Sequence, residues 1–314
     1  ETGEKNLCLA GGVALNCIAN GILLREKIFE NIWIQPAAGD AGGALGAALS
    51  VWHMHLEKER KLSSHRDGMR GSYLGPEFSN KEIEESLNEC GAIYHKLTEE
   101  DLLEKTTSAL VNQKTIGWMQ GRMEFGPRAL GGRSIIADPR SPSMQRLLNL
   151  KVKYRESFRP FAPSILAEHV SEWFKQTTCS PYMLFVADIQ ENKRLTKTDE
   201  EKALFGVEKL NVPRSIIPAV THIDYSARIQ TVHSDTNPKY HSLISKFYEV
   251  TGCPLVVNTS FNVRGEPIIC SPKDAFLCFM GTELDVLAVG NYLLLKEEQD
   301  KDLKENYEER YELD

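Results

Sequence analysis

Short apolar runs bounded by glycine, proline or asparagine alternate irregularly with helix-like stretches along this chain, which confines it to an α/β fold built on a mixed sheet. Runs at 7–10, 32–34, 115–119, 134–137, 161–166, 182–189, 216–221, 254–257 and 286–295 read as strands. Helices are expected over 13–27, 39–61, 80–90, 99–112, 143–154, 237–251 and 272–280, with a short one at 168–174. Residues 190–214 are charged and irregular, an excursion over the surface. At 63–79 the periodicity lapses into a turn-rich linker, separating a first unit (1–62) from a second (80–298) and an acidic tail (299–314).

Two of the apolar runs end in loops dense with basic and amide side chains. The first is Gln120-Gly121-Arg122-Met123-Glu124-Phe125-Gly126-Pro127-Arg128-Ala129-Leu130-Gly131-Gly132-Arg133, and the second is Asn258-Thr259-Ser260-Phe261-Asn262-Val263-Arg264-Gly265-Glu266. Glycines let backbone amides approach an anion, and guanidinium forks contact phosphate or carboxylate oxygens two at a time. A lone arginine in a turn is as often solvated or paired with a surface carboxylate. Here Arg122, Arg128 and Arg133 have only Glu124 nearby in sequence, so the pattern points to recognition of a small, densely charged anion.

The net charge of −7, from 37 basic and 44 acidic residues, argues against bulk binding to nucleic acid or an anionic membrane and favours a focused pocket. No apolar stretch reaches the ~18 residues of a membrane span. Seven cysteines form no C-x-x-C pair, which suggests free thiols in a reducing cytoplasm and no structural zinc. The chain opens on a strand with too little before it to cover that strand's faces. The expectation is therefore the C-terminal part of a longer protein, whose apolar face over 6–60 could drive self-association, a homodimer included.

Five motifs in order, Gly11-Gly12-Val13-Ala14-Leu15-Asn16, Gly39-Asp40-Ala41-Gly42-Gly43-Ala44, Gly126-Pro127-Arg128-Ala129-Leu130-Gly131, Phe158-Arg159-Pro160-Phe161-Ala162-Pro163 and Asn258-Thr259-Ser260-Phe261-Asn262, resemble the O-carbamoyltransferases of the NodU/CmcH type. The resemblance implies the end of an actin/hexokinase-superfamily (ASKHA) domain followed by a YrdC-like mixed α/β domain. It implies a two-step reaction: the second domain joins the carbamoyl unit of carbamoyl phosphate to the α-phosphate of ATP, with Mg2+ on the nucleotide. The first domain then passes it to the hydroxyl of a small-molecule or saccharide acceptor.

Matched motif by motif, the resemblance implies Arg128, Lys153, Arg159 and Arg228 as catalytic. Asn258 and Ser260 bind substrate, with Arg122 and Arg264 near them. Gly11, Gly12, Asn16, Gly42 and Gly43 serve a nucleotide loop. Asp40 matches a ligand for Fe2+ or another divalent metal, whose histidine ligands are expected upstream; one carboxylate alone holds such a metal feebly. His222, by contrast, reads as structural rather than as an acid or base. Two alternatives stay open: a YrdC-like RNA-binding module, and a relative that makes threonylcarbamoyl-adenylate for tRNA modification. The acidic balance and the lack of aromatics beside the arginines count against RNA.

Overall fold

The alternation of strands and helices is borne out in a computed structural model of the chain, which describes residues 2–61, 67–210 and 212–304. The first unit contains β1 (Asn6–Leu9), α1 (Cys17–Glu26), β2 (Asn31–Ile34) and α2 (Ala41–Ser50), with β1 and β2 pairing in parallel. The second begins with α3 (Asn80–Glu89), β3 (His95–Lys96), α4 (Glu99–Val111), β4 (Ile116–Met119), β5 (Arg133–Ala137) and α5 (Met144–Lys151). It continues through β6 (Ala162–Leu166), α6 (Val170–Trp173), β7 (Phe185–Asp188), α7 (Asp199–Ala203), α8 (Gly206–Leu210) and β8 (Ser226–Val232). It closes with α9 (Pro238–Thr251), β9 (Leu255–Ser260), α10 (Pro272–Gly281), β10 (Val286–Val289) and β11 (Tyr292–Leu295).

The nine strands β3 to β11 form one mixed sheet in the order β3-β11-β10-β4-β5-β9-β6-β8-β7. Its central strands β4, β5 and β6 are buried along their whole length, which is why they read as near-continuous apolar runs. Two helix pairs, α3 with α10 and α4 with α9, pack against it. Their ends follow from local chemistry. Thr98 caps α4, accepting from the Asp101 amide at 3.1 Å, and three acids fill the first turn; Ser271 and Asp274 form a reciprocal capping box on α10.

Four differences from the sequence reading stand out. The strand expected at 216–221 is a tight turn over Pro218–Val220, because Pro218 has no amide to give a ladder. The strand that follows the turn, β8, has no apolar signature because Arg228 and Gln230 break its pattern. The run at 286–295 is a hairpin, broken at Gly290 with φ +54°. Helix α2 gives way to a wider turn over Val51–His55, so the helix expected to 61 stops early. The part of the linker at 62–66 and the tail at 305–314, with Tyr307 and Tyr311, lie outside the described residues. All seven cysteines are free thiols.

The two units share a core. Ala14, Ile34 and Ala38 of the first pack with Leu130, Ala162 and Tyr182 to Phe185 of the second. The Asn20 side-chain amide donates to the Leu184 carbonyl at 3.1 Å, and a Cβ on Gly21 would stand 2.7 Å from the Val186 carbonyl oxygen, so α1 lies directly on β7. The outer side of the first unit is different. Val13, Ile18, Ile28, Trp52 and Met54 are exposed, and no residue of α2 is buried.

Candidate functional site

The site is built where β5, β9, β6 and β8 lie side by side. Asn258 of β9 sits opposite Ala162 of β6 and Ile136 of β5, and Gln230 of β8 sits opposite Ser164 of β6. Arg228, two residues before Gln230, projects from the same face of the sheet. The loop that carries Arg128 runs over this face: the Asn258 side-chain amide donates to the Ala129 carbonyl at 3.1 Å. Asn258 is 1% exposed, and its other amide contacts are Ser164 Oγ and Gln230 Oε1, each at 2.9 Å.

Arg128 and Arg228 are brought together, although a hundred residues separate them. Burial, and next the charge of Arg128, pull the Arg228 guanidinium down to about 10; Cys17 opposes the fall and Arg155 adds to it. Burial also lowers Arg128, and its Nε is enclosed without a hydrogen-bond partner. Among the described residues no carboxylate forms an ion pair with either arginine. Two guanidiniums within reach of each other's charge and without a counter-ion repel each other, an arrangement that is unfavourable until an anion arrives.

Lys153 lies just beyond α5 and is 4% exposed. Its Nζ donates to the Ser260 carbonyl at 2.5 Å, Ser260 Oγ at 3.2 Å, the Asn262 carbonyl at 2.8 Å and Asn262 Oδ1 at 2.7 Å. Burial, and then the charge of Arg155, push this lysine down to about 7. Arg155 is itself held at about 10 by burial and by Arg159, while its Nε donates to Asn149 Oδ1 at 2.6 Å. A run of cations therefore leads from Lys153 through Arg155 towards Arg128 and Arg228 on one side and Arg159 on the other. Arg155 and Asn262 also belong to this group, although the sequence reading gives neither a role. Each stands two residues from a predicted site residue, Lys153 or Ser260, across an aromatic side chain.

Other predicted residues stand apart from that run or at its edge. Arg159 is half exposed and 3.1 Å from Glu156, whose carboxyl is in turn lowered by its own backbone amide, Arg159, Arg264 and Arg155. Arg122 lies in a separate cleft with Gln120 and Lys239, where it faces Glu77 at 3.6 Å and donates to the Gly75 carbonyl. Arg133, one of the three loop arginines, is fully buried. It donates to the carbonyls of Pro76, Gln120, Gly121, Gly132 and Cys270 at 3.0–3.3 Å, so it braces the loop rather than facing a ligand. Glu124 is likewise spent on the loop, accepting from the amides of Leu130, Gly132 and Arg133. That removes the one carboxylate which the sequence offered as a partner for the arginines.

The first unit reaches the site through the start of α1. Cys17 is its sulfur-bearing neighbour to Arg128 and Arg228, and a Cβ on Gly126 would come 3.2 Å from the Pro36 carbonyl oxygen. Of the glycines matched to a nucleotide loop, Gly11, Gly12 and Gly43 face open space. Gly42 instead packs so tightly that a Cβ would stand 2.0 Å from the Ala37 carbonyl oxygen. Asn16 caps α1, accepting from the Ala19 amide at 3.1 Å. Asp40 is exposed at the start of α2, and among the described residues no group of three His, Cys, Asp or Glu side chains could hold a metal ion. These residues alone do not make a transition-metal site.

A cleft of about 350 Å3 is bordered by Ile18, by Phe158 and Pro160 on either side of Arg159 in sequence, and by Asp224 and His222, which feels the charge of Arg228; none of the predicted site residues is among its lining. Burial lowers His222, which shares a hydrogen bond with Ser226 Oγ at 3.2 Å. A larger cleft, of about 490 Å3, between Trp33, Tyr182 and His233 holds none of the predicted residues. No described helix is long and apolar enough to cross a membrane.

Comparison with known proteins matches residues 107–296 to the family model "Carbamoyltransferase C-terminus" and residues 1–49 to "Carbamoyltransferase N-terminus". An uncharacterized protein of Synechocystis sp. is 59% identical over the whole chain, which covers 51% of that protein. "Nodulation protein NolO" of Bradyrhizobium diazoefficiens is 42% identical over 94% of this chain and 50% of its own length. "Nodulation protein U" of Rhizobium tropici is 33% identical over 94% of this chain and 44% of its own. The chain spans about half the length of these relatives.

Proposed function

Because this chain belongs to the carbamoyltransferase family, we propose that it carries the ATP-dependent half-reaction of an O-carbamoyltransferase, making carbamoyl-adenylate at the Arg128–Arg228–Lys153 site. The observation that carries this reading is that Arg228, from a strand, feels the charge of Arg128, from a loop, while among the described residues no carboxylate forms an ion pair with either. A phosphate dianion supplies the missing counter-charge, and two planar forks suit its oxygens. Lys153 Nζ is held by four protein acceptors, so its charge, when it is protonated, acts on the anion from a distance rather than by contact.

In balanced form, water cleaves carbamoyl phosphate to carbamate and inorganic phosphate. A carbamate oxygen then attacks the α-phosphorus of ATP and expels pyrophosphate. Charge builds on the phosphoryl oxygens at each step, and preorganised cations in a partly dry site stabilise it. Mg2+ accompanies the nucleotide and screens its phosphates. The activated carbamoyl group would then pass across the α1–β7 junction to the first unit and on to an acceptor hydroxyl, a saccharide or small molecule. No step is assigned to a metal at Asp40.

The test is pyrophosphate release by the purified chain with carbamoyl phosphate, ATP and Mg2+, without acceptor. Release should need both substrates and fall at least 100-fold in Arg128→Ala, the scale of losing one charge-stabilising donor. Threonine and bicarbonate in place of carbamoyl phosphate should give none; release with them would transfer the site to threonylcarbamoyl-adenylate chemistry. Salt-dependent RNA binding without turnover would instead favour the RNA-binding alternative.

A further inference from the structure

The loop from Arg128 to Gly132 is held almost atom by atom. Its outer amides, those of Leu130, Gly132 and Arg133, go to Glu124 Oε1 at 2.6, 2.7 and 3.3 Å. The Gly131 amide donates to Ser134 Oγ at 2.9 Å, and the Gly131 carbonyl accepts from Trp118 Nε1 at 2.9 Å. On the sheet side, the Leu130 carbonyl accepts from Gln230 Nε2 and from the Tyr73 hydroxyl, both at 2.7 Å. What remains unheld is the Arg128 side chain, whose Nε has no partner.

Gln230 is the member of this clamp that no motif pointed to. It is 2% exposed at the middle of β8, two residues from Arg228 on the same face of the strand. Its amide cannot turn over without loss. Oε1 accepts from Ser164 Oγ at 2.5 Å and from Asn258 Nδ2 at 2.9 Å, which leaves Nε2 facing the Leu130 carbonyl. β8 thus contributes one guanidinium directly, through Arg228, and fixes the backbone beneath the other through Gln230. Both consequences come from alternate residues of one strand, so the spacing between the two cations is set by the sheet rather than by a free loop.

We propose that Gln230 is a positioning residue which, oriented by Ser164, holds Arg128 at the separation from Arg228 that the anion requires. It does not touch the anion. The proposal rests on the reading of Arg128 and Arg228 as the carbamoyl phosphate site. Its signature is therefore non-additivity with Arg128: Gln230 matters to binding only while the Arg128 guanidinium is present.

The experiment is a double-mutant cycle on carbamoyl phosphate affinity, measured calorimetrically on the 314-residue chain with Gln230→Met, Arg128→Ala and the pair. Methionine keeps the length and removes both hydrogen-bonding ends. Gln230→Met should weaken binding about tenfold in the native background, the scale of a sub-ångström to 1 Å misplacement, and less than twofold on top of Arg128→Ala. Equal losses in both backgrounds would mean that Gln230 serves general packing, and the proposal fails. No loss in the native background overturns it as well. If Arg128→Ala itself leaves affinity unchanged, the anion-site reading fails first, and the positioning role falls with it. Should Gln230→Met not fold, Ser164→Ala decides by the same cycle. It removes the hydroxyl that orients Gln230 and also accepts from Asn258 at 2.9 Å, and the loss of affinity that comes through Gln230 should likewise vanish in Arg128→Ala.

Discussion

Binding of carbamoyl phosphate near pH 8 should draw a proton onto Lys153. Burial and Arg155 hold the free lysine at about 7, so at pH 8 roughly one molecule in ten carries the charge. An anionic oxygen settling about 6 Å from Nζ, at an effective dielectric of about 20, favours the ammonium by ~2.8 kcal/mol per unit charge, or about two pKa units. The bound lysine then titrates near 9 and is about nine-tenths charged at pH 8, an uptake of ~0.8 proton per ligand. Arg155 and Arg228, at about 10, are already charged and add little. A phosphate with a second pKa of about 6 brings no proton of its own at this pH. The assay is calorimetric titration at pH 8 in two buffers of different ionisation enthalpy, with Lys153→Met alongside. Uptake below about 0.2 proton, or an uptake that persists unchanged in Lys153→Met, would refute the reasoning.

Stability should follow the same lysine. Its pKa falls from 10.5 to about 7 on folding, so the unfolded chain binds more protons across that window and stability rises with pH through it. Urea melts between pH 7 and 9 should show a slope shallower by up to ~1.4 kcal/mol per pH unit in Lys153→Met. Arg133→Met strands several of the five carbonyls that this guanidinium holds and should cost about 3 kcal/mol or more in a denaturant melt; Arg133→Lys, lacking the fork, should recover only part. Gly42→Ala forces a Cβ to 2.0 Å from the Ala37 carbonyl oxygen, whereas Gly43→Ala meets nothing within 4 Å. Thermal melts should drop for the first and stay unchanged for the second. Titration with Fe2+ or Zn2+ should show no saturable binding that Asp40→Asn removes, because a single exposed carboxylate gives too few ligands.

The strands at the centre of the sheet were legible because both their faces are buried, so they appear as apolar runs: Ile116 to Met119 and Leu255 to Val257 are examples. Strand β8 was hidden for a related reason. Its residues alternate, but the inward side of the alternation carries Arg228 and Gln230, and a face given over to polar contacts has no hydrophobic signature. The candidate site was legible in its residue types but not in their division of labour. Arg128 and Arg133 look alike in sequence, each an arginine beside glycines. Only the fold separates one with an unpartnered nitrogen from one that has spent its fork on five carbonyls. Glu124 looked like their counter-ion and instead serves backbone amides, a use of a carboxylate that depends on a loop folding back on itself. Arg155 and Asn262 take on a role only once Lys153 is seen buried, its Nζ bonded to Asn262 and its charge facing that of Arg155.

Rapid chemical quench of the chain with α-labelled ATP and carbon-labelled carbamoyl phosphate tests the central claim most directly. The account predicts one species bearing both labels, a carbamoyl-adenylate, formed together with equimolar pyrophosphate and lost in Arg128→Ala. Label recovered only as ADP, or carbamoyl phosphate bound at Arg128 and Arg228 while ATP remains intact, would contradict it.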